Sequence, residues 1–227
     1  MTLLIYRDKP SEGAVAVAAA LREMGIEAKK VSRIPRRHPE RHKYVNWGSV
    51  GAEGLNNSPL YGKLTEIQKL TAAGIPTVTV GNRGEGYIYR NFTHQGGLDL
   101  LFPEEAARRP GFWVKKEEIS HEYRVHVFRG ASIRAGRKGP ANDYDAHDWV
   151  RSYGGGWRIY YDGTGVKNRH RDIAKTAVEA LGLDFAAVDV AERPDRSVFV
   201  LEVNRAPGAE GRTAIAYAEK IKAWLEE

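Results

Sequence analysis

The chain has 227 residues, 42% hydrophobic and 28% charged, with no cysteine and a formal net charge of +6. That length allows one large domain or two to three small lobes with a real core, and the missing cysteines exclude disulfides, thiolate catalysis and cysteine zinc sites. No apolar run approaches the roughly 18 residues of a membrane span and MTLLIYRDKP lacks a signal-peptide layout, so a cytoplasmic protein is expected; the positive charge favours an anionic partner such as a nucleotide, an acidic metabolite or a nucleic acid.

Thr2–Tyr6 reads as a buried strand. Ser11 is placed to cap a helix over Ala14–Met24 that Gly25 ends, and Ala28–Val31 returns as a second strand. Lys29–Lys43 carries seven Lys or Arg and two His against one Glu. Such a run is either a solvated loop or a segment that recruits an anion. A third strand at Tyr44–Asn46 runs into a tight turn, Trp47–Gly48–Ser49. Ligands sit at the ends of parallel strands, so this turn is expected to face substrate.

Lys63–Ala73 has helical spacing, with Leu64, Ile67, Leu70 and Thr71 on one face. Gly74 closes it, and Ile75–Val80 is expected to return as a strand. Taken alone, Lys63 is a surface lysine at a helix start. Five glycines lie between Gly81 and Gly97, around a short strand at Tyr87–Arg90. Glycine-loop N–H groups can cradle phosphate, and arginine can bind it bidentately. Gly111–Lys116 is a strand. In His121–Phe128, Glu122, Arg124 and His126 share one face while Tyr123, Val125 and Val127 share the other. Arg129–Gly130 is a turn before a return strand at Ser132–Lys138. Gly139–Val150 is polar and irregular; His147 with Asp143, Asp145 and Asp148 matches no metal-ligand spacing and reads as a loop. Two amphipathic helices follow. Asn168–Leu181 turns Ile173, Ala174, Ala177, Val178 and Leu181 inward, and Thr213–Leu225 turns Ala214, Tyr217, Ala218, Ile221, Trp224 and Leu225 inward.

Between these helices lies Ala187–Gly208, AVDVAERPDRSVFVLEVNRAPG, which reads as a hairpin turning at Glu192–Arg196. Glu202 and Asn204 share one face, and Leu201 and Val203 the other. A loop with an even number of residues puts Asp189 on the Glu202 face, where cross-strand neighbours sit roughly 4.5–5.5 Å apart. Two carboxylates that close need a cation between them, or one stays protonated. Asp, Glu and Asn offer only oxygen, which suits Mg²⁺ over zinc or copper. The plain alternative is a solvated hairpin face.

An acidic pair followed by Glu-x-Asn-x-x-Pro-Gly resembles the metal-binding hairpin of ATP-grasp enzymes. In pattern the nearest are ribosomal-protein glutamate ligases, D-alanine–D-alanine ligases and small phage ATP-grasp proteins. The resemblance runs from Lys63 to Gly208, and loosely from Thr2. It implies Mg²⁺ held by Asp189, Glu202 and Asn204, bridging the phosphates of ATP. The stretch GKLTEIQKLTAAGIPTV resembles the entry helix whose lysine, here Lys63, reaches those phosphates. Arg90 stands where the family has a lysine on the α- and β-phosphates. GFWVKK, with Lys115 and Lys116, resembles the hinge whose backbone reads adenine. Glu122, beside Arg124, stands where a carboxylate binds the ribose. Lys138 is implied near the phosphates, and Arg151 as the residue that stabilises the transferring γ-phosphate and the acyl phosphate. The Asn-Trp-Gly at 46–48 also has a counterpart in the phage proteins.

The expected fold is therefore α+β and ATP-grasp: a small α/β lobe at 1–60, a central lobe at 61–118 and a metal-bearing lobe at 119–227, the last two clamping ATP. The implied function is an ATP- and Mg²⁺-dependent ligase joining a carboxylate to an amine through an acyl phosphate, with Lys138 and Arg151 catalytic. The alternatives are an ATP-grasp phosphotransferase, or a nucleic-acid or protein-binding module with a residual ATP-grasp fold.

Overall fold

A computed structural model of the chain describes residues 2–36, 39–92, 98–101, 107–142, 145–147, 150–161 and 165–227. The expectations for Arg37, for the glycine loop through Gly96 and Gly97, and for Asp143 and Asp148 lie outside these residues.

A four-stranded parallel sheet opens the chain, in the order β2-β1-β3-β4. Its strands are β1 (Thr2–Tyr6), β2 (Ala28–Val31), β3 (His42–Asn46) and β4 (Gly54–Leu55), with helix α1 (Glu12–Glu23) between the first two. Leu3, Leu4 and Ile5 are buried because β1 is central in a sheet covered on both faces. The Ser11 side chain accepts from the backbone N–H of Ala14, capping α1.

The basic run is not one open segment. Lys29 and Lys30 lie on edge strand β2, and Lys43 lies on β3, where it packs 5.1 Å from the Trp224 ring centre. The turn after β3 differs from expectation as well. Trp47 is fully buried, with its ring centre 5.0 Å from that of Phe185 and 5.1 Å from that of Tyr217. It is core, not a substrate-facing residue, because the last helix closes over it. A Trp→Ala truncation in such a site costs about 3–5 kcal/mol.

Helix α2 (Lys63–Ala72) leads to a three-stranded antiparallel sheet, β5-β7-β6, of β5 (Val80–Gly81), β6 (Tyr87–Asn91) and β7 (Gly111–Lys115); a short helix, α3 (Leu98–Leu101), follows β6. Thr71 is exposed, and Glu66 is buried in its place. The Glu66 carboxylate accepts from the backbone N–H of Val203 at 3.0 Å. Residues 75–79 are not a strand of this sheet. Pro76 and Thr77 instead lie along Val200, the Pro76 carbonyl accepting its N–H at 2.8 Å.

The third sheet is antiparallel, ordered β10-β9-β8-β11-β12. It consists of β8 (His121–Phe128), β9 (Ala131–Pro140), β10 (Trp157–Tyr160), β11 (Phe185–Glu192) and β12 (Val198–Asn204). Helix α4 (Asn168–Ala180) packs on its rear face through Ala174, Ala177 and Val178 against Val125, Val188 and Val190. Helix α5 (Arg212–Leu225) joins this sheet to the first one: Tyr217 and Ile221 share a single core with Leu3, Val17, Trp47, Phe128 and Phe185. Asn56, at φ 56°, staples the same junction. Its Oδ1 accepts from the N–H groups of Asp184 and Phe185, at 2.7 and 3.0 Å, and its Nδ2 donates to the Phe185 carbonyl. Among the described residues no helix is long and apolar enough to cross a membrane.

Candidate active site

The front face of the large sheet carries a transverse row of charges. Pairing runs directly from Glu202 to Asp189 to Arg124 to Gly136 across four strands. The hairpin loop between the paired residues Glu192 and Val198 has five residues, an odd number. A bulge in the ladder between Asp189 and Val190 makes up the parity, since Val200 opposes Val190 while Glu202 opposes Asp189. Leu201 is the extra residue, and it lines the cleft together with Glu202 instead of sharing the rear face with Val203. A side chain at Gly136 would collide with the Tyr160 carbonyl at 2.6 Å and with Tyr161, which crosses the sheet face there.

Each acid in this face has a protein cation beside it. Arg124 grips Asp189 bidentately at 2.7 and 2.8 Å, and Lys138 Nζ donates to the same carboxylate at 2.9 Å. Lys138 also donates to Glu122 at 3.0 Å, and Arg151 stands 3.8 Å from Glu122. Lys63 Nζ donates to Glu202 at 2.5 Å. Burial alone would raise the Asp189 carboxyl, but Arg124 and Lys138 outweigh it and hold the group well below the usual carboxylate range. Burial opposes charge on Lys138 too, yet Asp189 and Glu122 keep it above the ordinary lysine value. His126, fully buried on the same face between the hydroxyls of Tyr217 and Tyr161, is pushed down to about 3 by burial and by Arg124, and is neutral.

This face forms one wall of a cavity of about 820 Å³, whose other wall is the small sheet. Lys63, Arg90, Lys115, Lys116, Glu122, Arg124, Lys138, Arg151, Asp189, Glu202 and Asn204 all line it. Arg90 is anchored by Asp99 at 2.7 Å. The backbone N–H groups of Lys115 and Lys116 are taken up by the carbonyls of Thr79 and Gly86, so adenine recognition by the hinge backbone cannot use those two donors. Arg151 donates to the Ile119 carbonyl at 2.8 Å and lies 5.0 Å from the Trp157 ring centre. Glu122 is not a free carboxylate: strand pairing places it beside Lys138, and it holds that cation and Arg151.

Sequence reasoning missed several lining residues. Ile88, Phe112, Val114, Phe199 and Leu201 give the cavity an apolar wall; the alternation of β6 and β7 could have shown the first three, but nothing in the sequence marks the bulge. Glu66, Tyr161 and Glu210 also line it. Glu66 was hidden on the polar side of an amphipathic helix, and its buried carboxyl is raised chiefly by burial.

Among the described residues, no group of three or more His, Asp or Glu side chains is assembled for a metal. The candidate set here is two carboxylates and an amide. Asp189 and Glu202 oppose each other on neighbouring strands, and each already draws a cationic side chain, so the site calls for positive charge. Donors that are all oxygen fit Mg²⁺ over zinc or copper.

Solved structures with the same architecture decide the fold. ATP-grasp ligase PsnB, complexed with its minimal precursor, Mg and ADP, superposes with a TM-score of 0.65 at 13% identity over 99% of this chain and 98% of that one. The chain has the ATP-grasp fold. Macrocyclase MdnC from Microcystis aeruginosa MRC, bound with precursor peptide MdnA, gives 0.59 at 15% identity over 96% of this chain and 98% of that one. D-cycloserine synthetase DcsG gives 0.62 at 17% identity over 99% and 100%. No family model matches the chain. Curated relatives match over a shorter stretch. A probable alpha-L-glutamate ligase of Enterobacter sp. (strain 638) and a ribosomal protein bS6–L-glutamate ligase of Salmonella newport are each 44% identical over 64 residues. That stretch is 27% of this chain and 21% of the relatives' length.

Proposed function

We propose that the protein is an ATP- and Mg²⁺-dependent ligase that joins a carboxylate to an amine through an acyl phosphate, releasing ADP and phosphate. One observation carries the reading: five cationic side chains, Lys63, Arg90, Arg124, Lys138 and Arg151, converge with the oxygen set Asp189, Glu202 and Asn204 in one apolar-walled cleft. Proteins with the same fold are described as ligases, a macrocyclase and a synthetase, and the shorter matches as glutamate ligases.

A carboxylate is a poor acyl donor because its leaving group is oxide. Its oxygen therefore attacks the γ-phosphorus, and the bond to the β-phosphate breaks with its electron pair leaving on ADP. The amine nitrogen then attacks the acyl carbon. The carbon–oxygen bond breaks, and of the two protons that a protonated amine must lose, one departs on phosphate and the other passes to solvent. Catalysis of this kind is positioning and charge neutralisation, with no protein nucleophile needed. The apolar wall of Ile88, Phe112, Val114 and Leu201 receives the base and excludes water. Lys63, Arg90 and Lys138 meet the phosphates. Arg151, fixed by Ile119 and Trp157, is oriented for the acyl phosphate. Asp189, Glu202 and Asn204 would hold Mg²⁺, which neutralises the polyphosphate.

The deciding experiment is a screen of carboxylates and amines scored by ADP and phosphate release, with hydroxylamine added as a trap. Hydroxamate together with ADP is the expected result. Release of AMP and pyrophosphate would refute the mechanism, and ADP without hydroxamate would make the protein a phosphotransferase.

A further inference from the structure

Strand β12 is an edge strand, so its outward N–H groups need partners beyond the sheet. Two of them donate away from β11. The Val200 N–H goes to the Pro76 carbonyl at 2.8 Å, and the Val203 N–H to the Glu66 carboxylate at 3.0 Å. A regular strand turns every second N–H outward, which after Val200 would be that of Glu202. The extra residue at Leu201 moves the outward donor on by one, to Val203. The bulge that sets Glu202 opposite Asp189 therefore also sends the next N–H away from the ladder, to Glu66.

Val203 lies between Glu202 and Asn204. The side chains of those two have ties of their own: Glu202 has Lys63, and Asn204 Oδ1 accepts from the Ala206 N–H at 3.0 Å. Glu66 supplies the tie for the backbone between them, and both Glu66 and Val203 are buried. Lys63 and Glu66 stand one turn apart on α2, so a single helix meets the Glu202 side chain and the peptide that follows it. At Val200, on the far side of the bulge, the Thr77 hydroxyl donates to the strand carbonyl at 2.8 Å, a comparable tie that touches neither Glu202 nor Asn204.

Resting on the ligase reading and its metal set, we propose that Glu66 is a positioning residue for Mg²⁺. It fixes the backbone between Glu202 and Asn204, so that their oxygens keep one spacing, and it couples that backbone to the helix that carries Lys63. Mg²⁺ demands near-ideal geometry, and groups that orient its ligands govern how tightly it is held.

The test is the ADP affinity by calorimetry, with Mg²⁺ and in EDTA; the ratio of the two is what the metal contributes. Glu66→Ala is expected to lower that ratio tenfold or more, while ADP affinity in EDTA changes less than twofold. Glu66→Gln keeps an acceptor oxygen without the charge and should stay within threefold of wild type. Glu66→Asp keeps the charge but draws the acceptor back by one methylene, and should lose fivefold or more. Thr77→Val should lower stability in urea and leave the ratio within twofold. If Glu66→Ala does not fold, a higher ratio in Glu66→Gln than in Glu66→Asp supports the assignment; the reverse order makes charge the property that matters and overturns it. An unchanged ratio in Glu66→Ala also overturns it, as does an equal loss in Thr77→Val or an equal loss in EDTA, either of which would mark a purely structural contact. If the wild-type affinity for ADP does not respond to Mg²⁺, the metal set itself is refuted and this assignment falls with it.

Discussion

Strand β11 carries two acids on opposite faces of one sheet, Asp189 in front and Glu192 behind. Each is held by two donors. Asp189 has Arg124 and Lys138; Glu192 has Arg169 at 2.8 Å and His170 at 2.7 Å. Each carboxyl lies below its ordinary value despite burial, for the same reason. What differs is the surroundings. Asp189 opens onto the cleft, where its partners can be exchanged for a ligand. Glu192 faces α4, and His170 belongs to the first turn of that helix, where its Nδ1 accepts from the Lys167 N–H at 2.9 Å. That bond leaves the proton on Nε2, aimed at Glu192. Similar ion-pair chemistry faces an open cleft on one side of the sheet and a packed helix on the other, and access separates them.

The comparison breaks most sharply at Asp189. Asp189→Ala leaves Arg124 buried without its counter-charge and Lys138 with Glu122 alone, and should cost about 3–5 kcal/mol in urea denaturation, with ATP turnover lost. A loss under about 1 kcal/mol would show that the front cluster is as replaceable as a surface pair.

The next effect is shared by both faces. His126 and His170 are held neutral in the folded protein, His126 at about 3, while the unfolded chain titrates both near 6.5. Below that value protons bind the unfolded state first, so stability falls as pH falls, by about 1.4 kcal/mol per unit from His126, with a contribution of the same sign from His170. Unfolding free energies measured between about pH 7.5 and about pH 5 should show this slope, and the double variant His126→Gln/His170→Gln should flatten it. A slope unchanged in the variant would assign it to other groups.

At the rear alone, His170→Ala should cost about 2 kcal/mol, from the lost helix cap and the lost bond to a buried acid. ATP KM should stay within twofold; a larger kinetic effect would mean the two faces are coupled. Last comes Arg90→Ala, expected to raise the ATP KM or lower kcat about tenfold, or about 1.4 kcal/mol, with Arg90→Lys retaining part of the activity. Unaltered kinetics would show that Arg90 serves Asp99 and not the phosphates.

Much of this was legible in the sequence where periodicity and chemistry agree. Glu122, Arg124 and His126 share a face because strand alternation requires it, and α4 buries the residues its spacing marks. The ATP-grasp fold was legible through the hairpin motif. Trp47 was misread because an aromatic after a parallel strand looks alike whether it faces a ligand or a helix that arrives some 170 residues later. Glu66 was missed because its partner is a backbone N–H on an edge strand, which no side-chain pattern records. The expected 75–80 strand failed because a proline and a single bridge to Val200 diverted that segment along β12.

The bulge at Leu201 bears on how this hairpin tolerates insertions and deletions. Register is held by the pairing of β12 with β11 and of β11 with β8, so the turn at 193–197 can change length without moving the acids. Deleting Leu201 would leave a regular ladder in which Asp189 still faces Glu202, and would remove only a piece of the apolar wall. Straightening the strand with Leu201 retained would turn Glu202 to the rear, since a one-residue slip reverses every side chain. A comparison of such chains that places its gap in the turn would therefore pair the wrong residues along β12, even though each of the proteins had kept its acid pair.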